Sequence, residues 1–398
     1  MRDFRDRRVR ARRTRRFDID FPDKRDKDRR VYNRRSNILG LSERHWEEMN
    51  SNTIGWFCTY TPEEIFYAAG LFPIRVIPTA SSITHNYSCM PSNLCPYVMN
   101  SLDTAQYFNE DFLKGVVIVN SCDAMRKMYD AWKYYIKTPF LHFLDLPKSI
   151  NIESKEYFKK SLSKLVKDIE SHYNVTITNQ DLTKAISLCN ETRRMLKKLY
   201  DFRKQDNPPI SGSEIFNIIK ASMINHKKEF NMYLESLIEA IEQGKISKTF
   251  NGPRILIIGS YFGSEELTQI IESYGSIVVA DQLCMGSLYF ENLIDTDKDP
   301  LDAIAQRYLY KPPCSRMLEY DRKISHLLGL INDNRIDGVI FSTLKFCDSS
   351  LFSYPQIKED LQKKNIPILL LESDGTSSNI GQSKTRIQTF IELIEGKI

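Results

Sequence analysis

Three of the eight cysteines lie where a protein could hold a reactive or metal-binding thiol. Cys122 follows the apolar run Val116–Asn120, and Cys347 follows the run Gly338–Phe341 across a short loop. Short apolar runs of this kind are typical of buried parallel strands, and open α/β sheets bind ligands at the carboxyl ends of their strands. Cys95 lies in a loop that a following proline is expected to keep irregular. An aspartate follows both Cys122 and Cys347, which indicates one site between two similar lobes.

The spacing of these cysteines leaves their role open. They are separated by 27 and 225 residues, which no local zinc or ferredoxin motif has, and the chain contains no Cys-x-x-Cys. A single cysteine is more often a small buried apolar side chain than a ligand, and Cys189 on a helical face fits that description. Cys58, Cys89, Cys284 and Cys314 remain open. The residues alone therefore predict a candidate metal site and no particular metal.

The elements that would position these thiols alternate between strand and helix in two stretches of the chain. With 398 residues, the chain is too long for one ordinary core. We predict an α/β fold of two Rossmann-like lobes, whose parallel sheets are flanked by helices, with a helical connector. The predicted boundaries are a basic, disordered tail at 1–48, an N-terminal lobe at 49–210, the connector at 211–249 and a C-terminal lobe at 250–398.

Local signals place several element ends. Thr61 is expected to cap a helix that begins at Pro62, and a long helical stretch is predicted from Ser211 to about Gln243. The expected strands are Phe72–Ile77, Gly115–Asn120, Pro139–Leu144, Ile255–Ile258, Ser276–Ala280, Gly338–Phe341 and Pro367–Leu371.

The net charge of +5 is confined to one end of the chain. Residues 1–35 hold fourteen Arg, two Lys and seven Asp, a net charge of +9, which leaves −4 for the remainder. Charge runs of this kind are usually disordered tails, and the acidic remainder offers no basic groove, so nucleic acid is not expected as a partner. No apolar run approaches the roughly 18 residues that span a bilayer, and no apolar signal segment is evident. We therefore expect a cytoplasmic protein with reduced thiols.

Other motifs carry less weight. The turn Gly259–Ser264 follows a strand but lacks the dinucleotide-binding pattern, so a plain strand-to-helix turn is favoured. There is no Gly-x-x-x-x-Gly-Lys-Ser/Thr loop, so the chain is not expected to hydrolyse a nucleotide by that route. Glu63 and Glu64 could supply a base, although acids at a helix start usually serve the helix dipole. Glu64 stays a hypothesis, and no catalytic residue is predicted.

Taken in order, several stretches resemble the family of 2-hydroxyacyl-CoA dehydratase and benzoyl-CoA reductase subunits, of the 2-hydroxyglutaryl-CoA dehydratase D-component type. The resemblance runs from about residue 54 to the end of the sequence. Its pieces are Gly55–Glu64, Asn93–Pro96, Ser121–Asp123, Met128–Asp130, Asp281–Ser287, Pro313–Met317, Lys345–Asp348, Glu372–Asp374, Gly381–Gln382 and Thr385–Ile387.

The resemblance implies a two-lobed subunit that binds an oxygen-sensitive [4Fe–4S] cluster through Cys95, Cys122 and Cys347. One iron would lack a protein thiolate and could take water or the oxygen of an acyl-CoA thioester. Such an iron could polarise the carbonyl and pass it one electron to give a ketyl radical, which allows dehydration or ring reduction. In the family an arginine is expected after Gly286-Ser287, whereas this chain has Leu288.

The resemblance also implies partners: a homologous second subunit, or a second copy of the chain, and an ATP-dependent iron–sulfur activator. Two alternatives stay open. One is a homodimeric iron–sulfur-cluster reductase of small molecules that does not use CoA. The other is a non-catalytic subunit that carries a cluster while its partner does the chemistry. The substrate, the choice between dehydration and reduction, and the role of the basic tail stay undecided at this point.

Overall fold

The computed structural model describes residues 19–20, 35–36, 52–78, 90–106, 113–136, 138–260, 264–375 and 380–397. Ile19–Asp20 pairs antiparallel with Arg35–Ser36. The rest of the predicted basic tail up to residue 48, and also Cys89 and residues 261–263 of the glycine-rich turn, lie outside the described residues.

The N-terminal lobe is built on a four-stranded parallel sheet. Its strands are β1 (Thr53–Trp56), β2 (Phe72–Arg75), β3 (Gly115–Val119) and β4 (Phe140–Leu144), in the order β2-β1-β3-β4. The helices of this lobe are α1 (Glu63–Ala68), α2 (Pro96–Gln106) and α3 (Asp123–Tyr135). Every residue of β3 is buried, as expected for an apolar strand inside a parallel sheet. Pro73 is tolerated in β2 because β2 is an edge strand.

Four helices follow the first sheet: α4 (Ile152–Tyr173), α5 (Asn179–Phe202), α6 (Gly212–Ser222) and α7 (Lys227–Glu242). Asn174 adopts the left-handed conformation at the end of α4, and Thr178 with Asp181 forms a capping box at the start of α5. Ser211 and Glu214 form a second capping box at the start of α6. The helical stretch expected from Ser211 is thus two helices, which are interrupted at residues 223–226.

The C-terminal lobe repeats the parallel arrangement. Its strands are β5 (Arg254–Gly259), β6 (Ile277–Gln282), β7 (Gly338–Leu344) and β8 (Ile368–Ser373), in the order β8-β7-β5-β6. The helices are α8 (Ser264–Ser273), α9 (Ser287–Phe290), α10 (Pro300–Tyr310), α11 (Tyr320–Asp333), α12 (Asp348–Gln362) and α13 (Ile380–Ile394). The predicted α/β class with two parallel sheets is confirmed. No described helix is both long enough and apolar enough to cross a membrane.

Two local expectations were wrong. The first helix begins at Glu63 rather than Pro62, and Thr61 is not its cap: Pro62 occupies the cap position, where no side chain makes a capping hydrogen bond. Pro96 does not keep the chain irregular after Cys95 but opens α2. Proline is well suited to the first turn of a helix because the N–H it lacks would have no partner there.

A shared core joins the two lobes. The largest apolar cluster contains Trp56 and Ile65 from the first lobe, Leu196 from α5, and Tyr289 and Tyr308 from the second lobe. Each sheet also packs a separate apolar cluster elsewhere. Buried apolar contacts therefore join the two lobes.

Candidate functional site

Cys95, Cys122 and Cys347 each lie at the start of a helix. Cys95 directly precedes α2, Cys122 is the N-cap residue of α3 after β3, and Cys347 is the N-cap residue of α12 after β7. Neither N-cap thiol makes a side-chain capping bond. The predicted placement of Cys122 and Cys347 beyond the carboxyl ends of parallel strands is therefore found.

The chain turns sharply just before Cys347. Phe346 has a φ of +59°, a left-handed conformation that is rare for a bulky residue. This turn takes the chain out of β7 and leads it into α12 within a few residues. Backbone strain of this kind is often found beside functional sites, and here it sets the position of the Cys347 thiol.

The start of α2 packs closely against the C-terminal lobe. A Cβ atom on Gly375 would lie 2.9 Å from the Cβ of Pro96, and Gly375 has a φ of +77°. The Asn100 side-chain amide donates a hydrogen bond to the Gly375 carbonyl across 3.4 Å. This close approach of α2 to the second lobe brings Cys95 across the gap between the two sheets.

Cys95 and Cys347, from different lobes, share one small buried cluster with Leu344. Both residues are 5% exposed. The Cys95 thiol is close enough to Cys347 that their hydrogen bond lowers the pKa of Cys347 and raises that of Cys95. Burial raises the pKa of both thiols, so it is the hydrogen bond between them that separates Cys95, with a raised pKa, from Cys347, with a lowered one.

Arg316 supplies the positive charge next to that thiolate. Its Nη2 donates a hydrogen bond to the Sγ of Cys347 across 3.8 Å, and its charge further lowers the pKa of Cys347. Burial lowers the pKa of Arg316, but the charges of nearby thiols, Cys347 and Cys122 foremost, raise it well above its ordinary value. Cys122, which is half-buried, therefore belongs to the same electrostatic neighbourhood.

The thiols do not converge on one point. Among the described residues, no group of three or more His, Cys, Asp or Glu side chains is arranged to hold a single metal ion. In a cubane iron–sulfur cluster each cysteine ligates a different iron, so the thiols surround the cluster rather than meet. Three thiols from three elements, one of them with a pKa lowered beside a guanidinium, are donors that fit such a cluster. The role of Cys95, Cys122 and Cys347 as ligands stays a prediction.

A cavity beside this pair, called the thiol cavity below, is lined by Cys95 and by three further cysteines, but not by Cys122 or Cys347. Cys58, Cys284 and Cys314 line it together with Cys95, the Ser260 hydroxyl and apolar side chains. Burial, and then the neighbouring Cys314 thiol, raise the pKa of Cys58. Cys58 and Cys284 each come two residues after a strand, β1 and β6, so the strand-end rule that favoured Cys122 applies to them as well. These three stayed open at the level of sequence because β1 was not recognised, no aspartate follows Cys284, and Cys314 lies in a loop.

Cationic side chains surround the cavity. Arg75, which is 3% exposed, donates from Nη1 to the Cys284 carbonyl at 2.6 Å and from Nη2 to the Cys284 thiol at 3.4 Å. Lys148 donates to the carbonyls of Asn120 and Ser121, at 2.8 Å and 2.6 Å. In the described part of the chain, no carboxylate forms an ion pair with Arg75, Lys148 or Arg316. This surplus of positive charge favours an anionic occupant or ionised thiols.

Lys311 connects the two lobes behind the cavity. It is 1% exposed, and its ammonium donates to the Thr59 carbonyl at 2.8 Å and to the Leu288 carbonyl at 3.0 Å. Burial, and then the charge of Arg307, lower the pKa of Lys311 to about 7. Leu288, where the family resemblance had led us to expect an arginine, thus contributes its backbone to this contact.

Glu63 and Glu64 point into the protein core instead of the thiol cavity. Glu64 is 0% exposed, pairs with the Arg193 guanidinium, and accepts a hydrogen bond from the Tyr308 hydroxyl at 2.9 Å. Glu63 pairs with Lys227 at 3.3 Å. Neither carboxylate is among the residues that line the cavity. The arrangement favours a structural role for Glu64 over the hypothesis that it acts as a base.

Comparison with known families agrees with this architecture. Residues 58–394 match the family model described as 2-hydroxyglutaryl-CoA dehydratase, D-component. The chain belongs to this family. The match covers the C-terminal sheet, every strand of the N-terminal sheet except β1, and the helices between the two sheets.

Individual relatives give the class of enzyme. The chain is 27% identical to the (R)-phenyllactyl-CoA dehydratase beta subunit of Clostridium sporogenes, over 88% of this chain and 94% of the relative. It is 29% identical to the putative dehydratase subunit YjiM of Escherichia coli (strain K12), over 86% and 91%. It is 23% identical to one of the benzoyl-CoA reductase subunits of Thauera aromatica, over 88% and 94%. The expected dehydratase or reductase type of enzyme subunit is confirmed.

The family likeness extends to partner subunits. The chain is also 19% identical to the lactoyl-CoA dehydratase subunit alpha of Anaerotignum propionicum, over 70% of this chain and 68% of that subunit. Subunits named alpha and subunits named beta are thus both related to this chain.

Proposed function

We propose that this chain is the iron–sulfur subunit of a 2-hydroxyacyl-CoA dehydratase or benzoyl-CoA reductase type of enzyme, with a [4Fe–4S] cluster held by Cys95, Cys122 and Cys347. The observation that supports this most directly is the pairing of Cys95 with Cys347 across the two lobes, next to Arg316. The matching family and the relatives named above supply the reaction class.

The bound cluster would supply single electrons and an open iron site that can polarise a thioester carbonyl. The chain's own residues would do the rest. Arg316 would keep Cys347 ionised and ready for metal, and Arg75 would offset negative charge from the opposite wall. Phe57, Met125 and Leu344 line the cavity with apolar surface. Such walls exclude water and strengthen the interactions of the charged groups inside.

A homologous second subunit is proposed as the partner. Alpha and beta subunits of related enzymes both resemble this chain, which supports an assembly of two related chains. A separate ATP-dependent iron–sulfur activator would supply the electron, and the substrate would be an acyl-CoA thioester.

The direct experiment is anaerobic purification with iron and sulfide analysis. About four irons per chain are expected if the cluster is a cubane, and Ala substitution of Cys95, Cys122 or Cys347 should each remove most of the iron. Cys189→Ala is the matched control because Cys189 is buried on α5, away from the cavity lining. Full iron retention in Cys122→Ala or Cys347→Ala would contradict the assignment.

A second candidate is the cluster-bearing reductase of small molecules that acts as a homodimer without CoA. One observation favours it: Cys58, Cys284 and Cys314 line the thiol cavity together with Cys95, so the chain offers more thiols here than a single three-cysteine cluster uses. This candidate predicts clearly more iron per chain than one cubane holds and partial iron loss in Cys284→Ala. The preferred function predicts no iron loss in that variant.

A further inference from the structure

A second cavity lies in the C-terminal lobe, on the other side of the loop that carries Cys314. It is bounded by the carboxyl ends of β5 and β6, at Gly259 and Gln282, by residues 313–315 and by Lys323 of α11. Cys314 lines both this cavity and the thiol cavity. The carboxyl edge of a parallel sheet is the usual place for a ligand in this type of fold.

Lys323 is the unusual residue of this cavity. It is 6% exposed, and its ammonium forms neither a hydrogen bond nor an ion pair with any residue that the structure describes. Burial lowers the pKa of Lys323, with the Cys314 thiol acting in the opposite direction. A buried cation without a counter-ion is costly, and an anion bound beside it would remove that cost.

The loop beside Lys323 presents a second free polar group. The Ser315 hydroxyl oxygen is buried and has no hydrogen-bond partner among the described residues. On the adjoining strand end, Gln282 is held in place by a hydrogen bond between its Nε2 and the Nδ1 of His326 at 2.8 Å. A buried hydroxyl without a partner is rare in folded proteins, and with the Lys323 ammonium at the same cavity it indicates an acceptor bound there.

Most of the remaining walls are apolar. Ile258, Leu288, Phe341 and Ile357 all line the cavity, and each is at most 3% exposed. The hydroxyl of Ser353, which also lines the cavity, already donates to the Ser350 carbonyl at 2.9 Å. A cation and a free hydroxyl on a cavity with mostly apolar walls match an anionic head on a short hydrocarbon chain.

We propose that this cavity binds a short aliphatic carboxylate, with its carboxylate oxygens on the Lys323 ammonium and the Ser315 hydroxyl and its carbon chain against Leu288 and Phe341. The carboxylate has two sources: a free acid from solution, or the distal carboxylate of an acyl thioester that enters from the thiol cavity past Cys314. The site does not depend on the proposed cluster, because none of the predicted cluster ligands lines it.

Binding to the metal-free full-length chain tests the site. Propionate should bind, as measured by calorimetry and by a rise in Tm, whereas propionamide, which has nearly the same shape without the charge, should bind much more weakly. Lys323→Met should weaken propionate binding about 10- to 100-fold, because it removes a charge-assisted hydrogen bond. Lys363→Met is the control, since Lys363 is 63% exposed and pairs with Glu359 on the surface.

Lys323→Met should fold at least as well as the parent, because an unpaired buried charge is replaced by an apolar side chain of similar length. Equal binding of propionate and propionamide, unchanged propionate binding in Lys323→Met, or equally tight binding of inorganic phosphate would overturn the proposal. Displacement of propionate by succinyl-CoA but not by butyryl-CoA would identify the distal carboxylate as the source. Displacement by neither would identify the free acid.

Discussion

Arg316 and Cys347 are joined by a hydrogen bond from the guanidinium Nη2 to the Sγ across 3.8 Å. Arg316 comes from the loop between α10 and α11, whereas Cys347 comes from the end of β7. Because Cys95 reaches the same thiol from the other lobe, Cys347 receives stabilising contacts from both sides. The hydrogen bond with Cys95 and, after it, the charge of Arg316 thus both lower the pKa of Cys347.

Replacing Arg316 should change the ionisation of Cys347. In Arg316→Gln the positive charge is lost, and the pKa of Cys347 should rise by about one to three units. Site-specific alkylation of the metal-free protein by iodoacetamide, followed by mass spectrometry across pH, measures this directly. Arg335→Gln is the control, because Arg335 is exposed and pairs with Asp206. An unchanged pH midpoint for Cys347 in Arg316→Gln would show that Arg316 does not stabilise the thiolate.

Loss of the Glu64 carboxylate should destabilise the fold. Glu64→Gln leaves Arg193 buried without its counter-ion, which is expected to cost about 3–5 kcal/mol of unfolding free energy. Glu359→Gln, at an exposed pair with Lys363, should cost at most about 1 kcal/mol. Chemical denaturation of both variants beside the parent measures the difference. Equal losses in the two variants would contradict the structural role of Glu64.

The same carboxylate gives the stability a pH dependence. Burial raises the pKa of Glu64, but Arg193 and Arg307 more than compensate and lower it below its ordinary value. A carboxyl group whose pKa is lowered by folding stabilises the protein above its unfolded pKa, which is about 4.3, and this contribution is lost as the pH falls through the folded value. The stability gap between parent and Glu64→Gln should therefore narrow below about pH 4.3. A difference in stability between the two proteins that widens as the pH falls below this value would contradict a lowered pKa for Glu64.

Two glycines should respond to alanine in opposite directions. A Cβ on Gly259 would lie 2.0 Å from the Ser342 carbonyl oxygen, and Gly259 has a φ of +121°. Gly259→Ala should therefore lower Tm strongly by pushing β5 away from β7. Gly329 lies inside α11 with nothing within 4 Å of the place that an added methyl group would occupy, so Gly329→Ala should stabilise by about 0.5–1 kcal/mol. Thermal unfolding of the two variants measures the sign of each change in Tm. An unchanged Tm in Gly259→Ala would exclude close contact between Gly259 and Ser342.

Local sequence patterns predicted most of the fold. Apolar runs such as those of β3 and β7 identify buried strands, and Asn174 marks the break between two long helices. β1 was missed because a four-residue strand carries too little pattern, although β1 pairs with strands on both of its sides. The conformation at Pro96 was mispredicted because proline interrupts regular structure in some positions and begins a helix in others.

The candidate site was only half predictable. Strand ends indicated Cys122 and Cys347, because the geometry of parallel sheets brings such positions to one edge. The contact of Arg316 with Cys347 and that of Arg75 with Cys284 join residues 31 and 209 positions apart. No local pattern encodes such pairs, since the first depends on the tertiary packing of the C-terminal lobe and the second on how the two lobes dock. The unpartnered ammonium of Lys323 likewise becomes evident only after the side chains are packed.

Activity should require other proteins. Removing hydroxide from a carbon without an acidified hydrogen needs an electron donor of lower reduction potential than common cellular donors. Adding an electron to an aryl thioester needs such a donor too. The sequence contains no Gly-x-x-x-x-Gly-Lys-Ser/Thr loop with which the chain could couple ATP hydrolysis to electron transfer. We expect the purified chain to be inactive alone and active with a homologous subunit and an ATP-hydrolysing iron–sulfur activator.

The ratio of ATP hydrolysed to product formed then separates the two reaction types. A dehydratase returns the electron at the end of each turnover, so many turnovers should follow the hydrolysis of few ATP. A reductase consumes its electrons, so ATP use should rise in proportion to product. Assays of the complete system on a panel of acyl-CoA substrates, with Cys347→Ala as the inactive control, measure both quantities. Sustained turnover by the lone chain without ATP would refute the need for an activator and favour the simpler reductase.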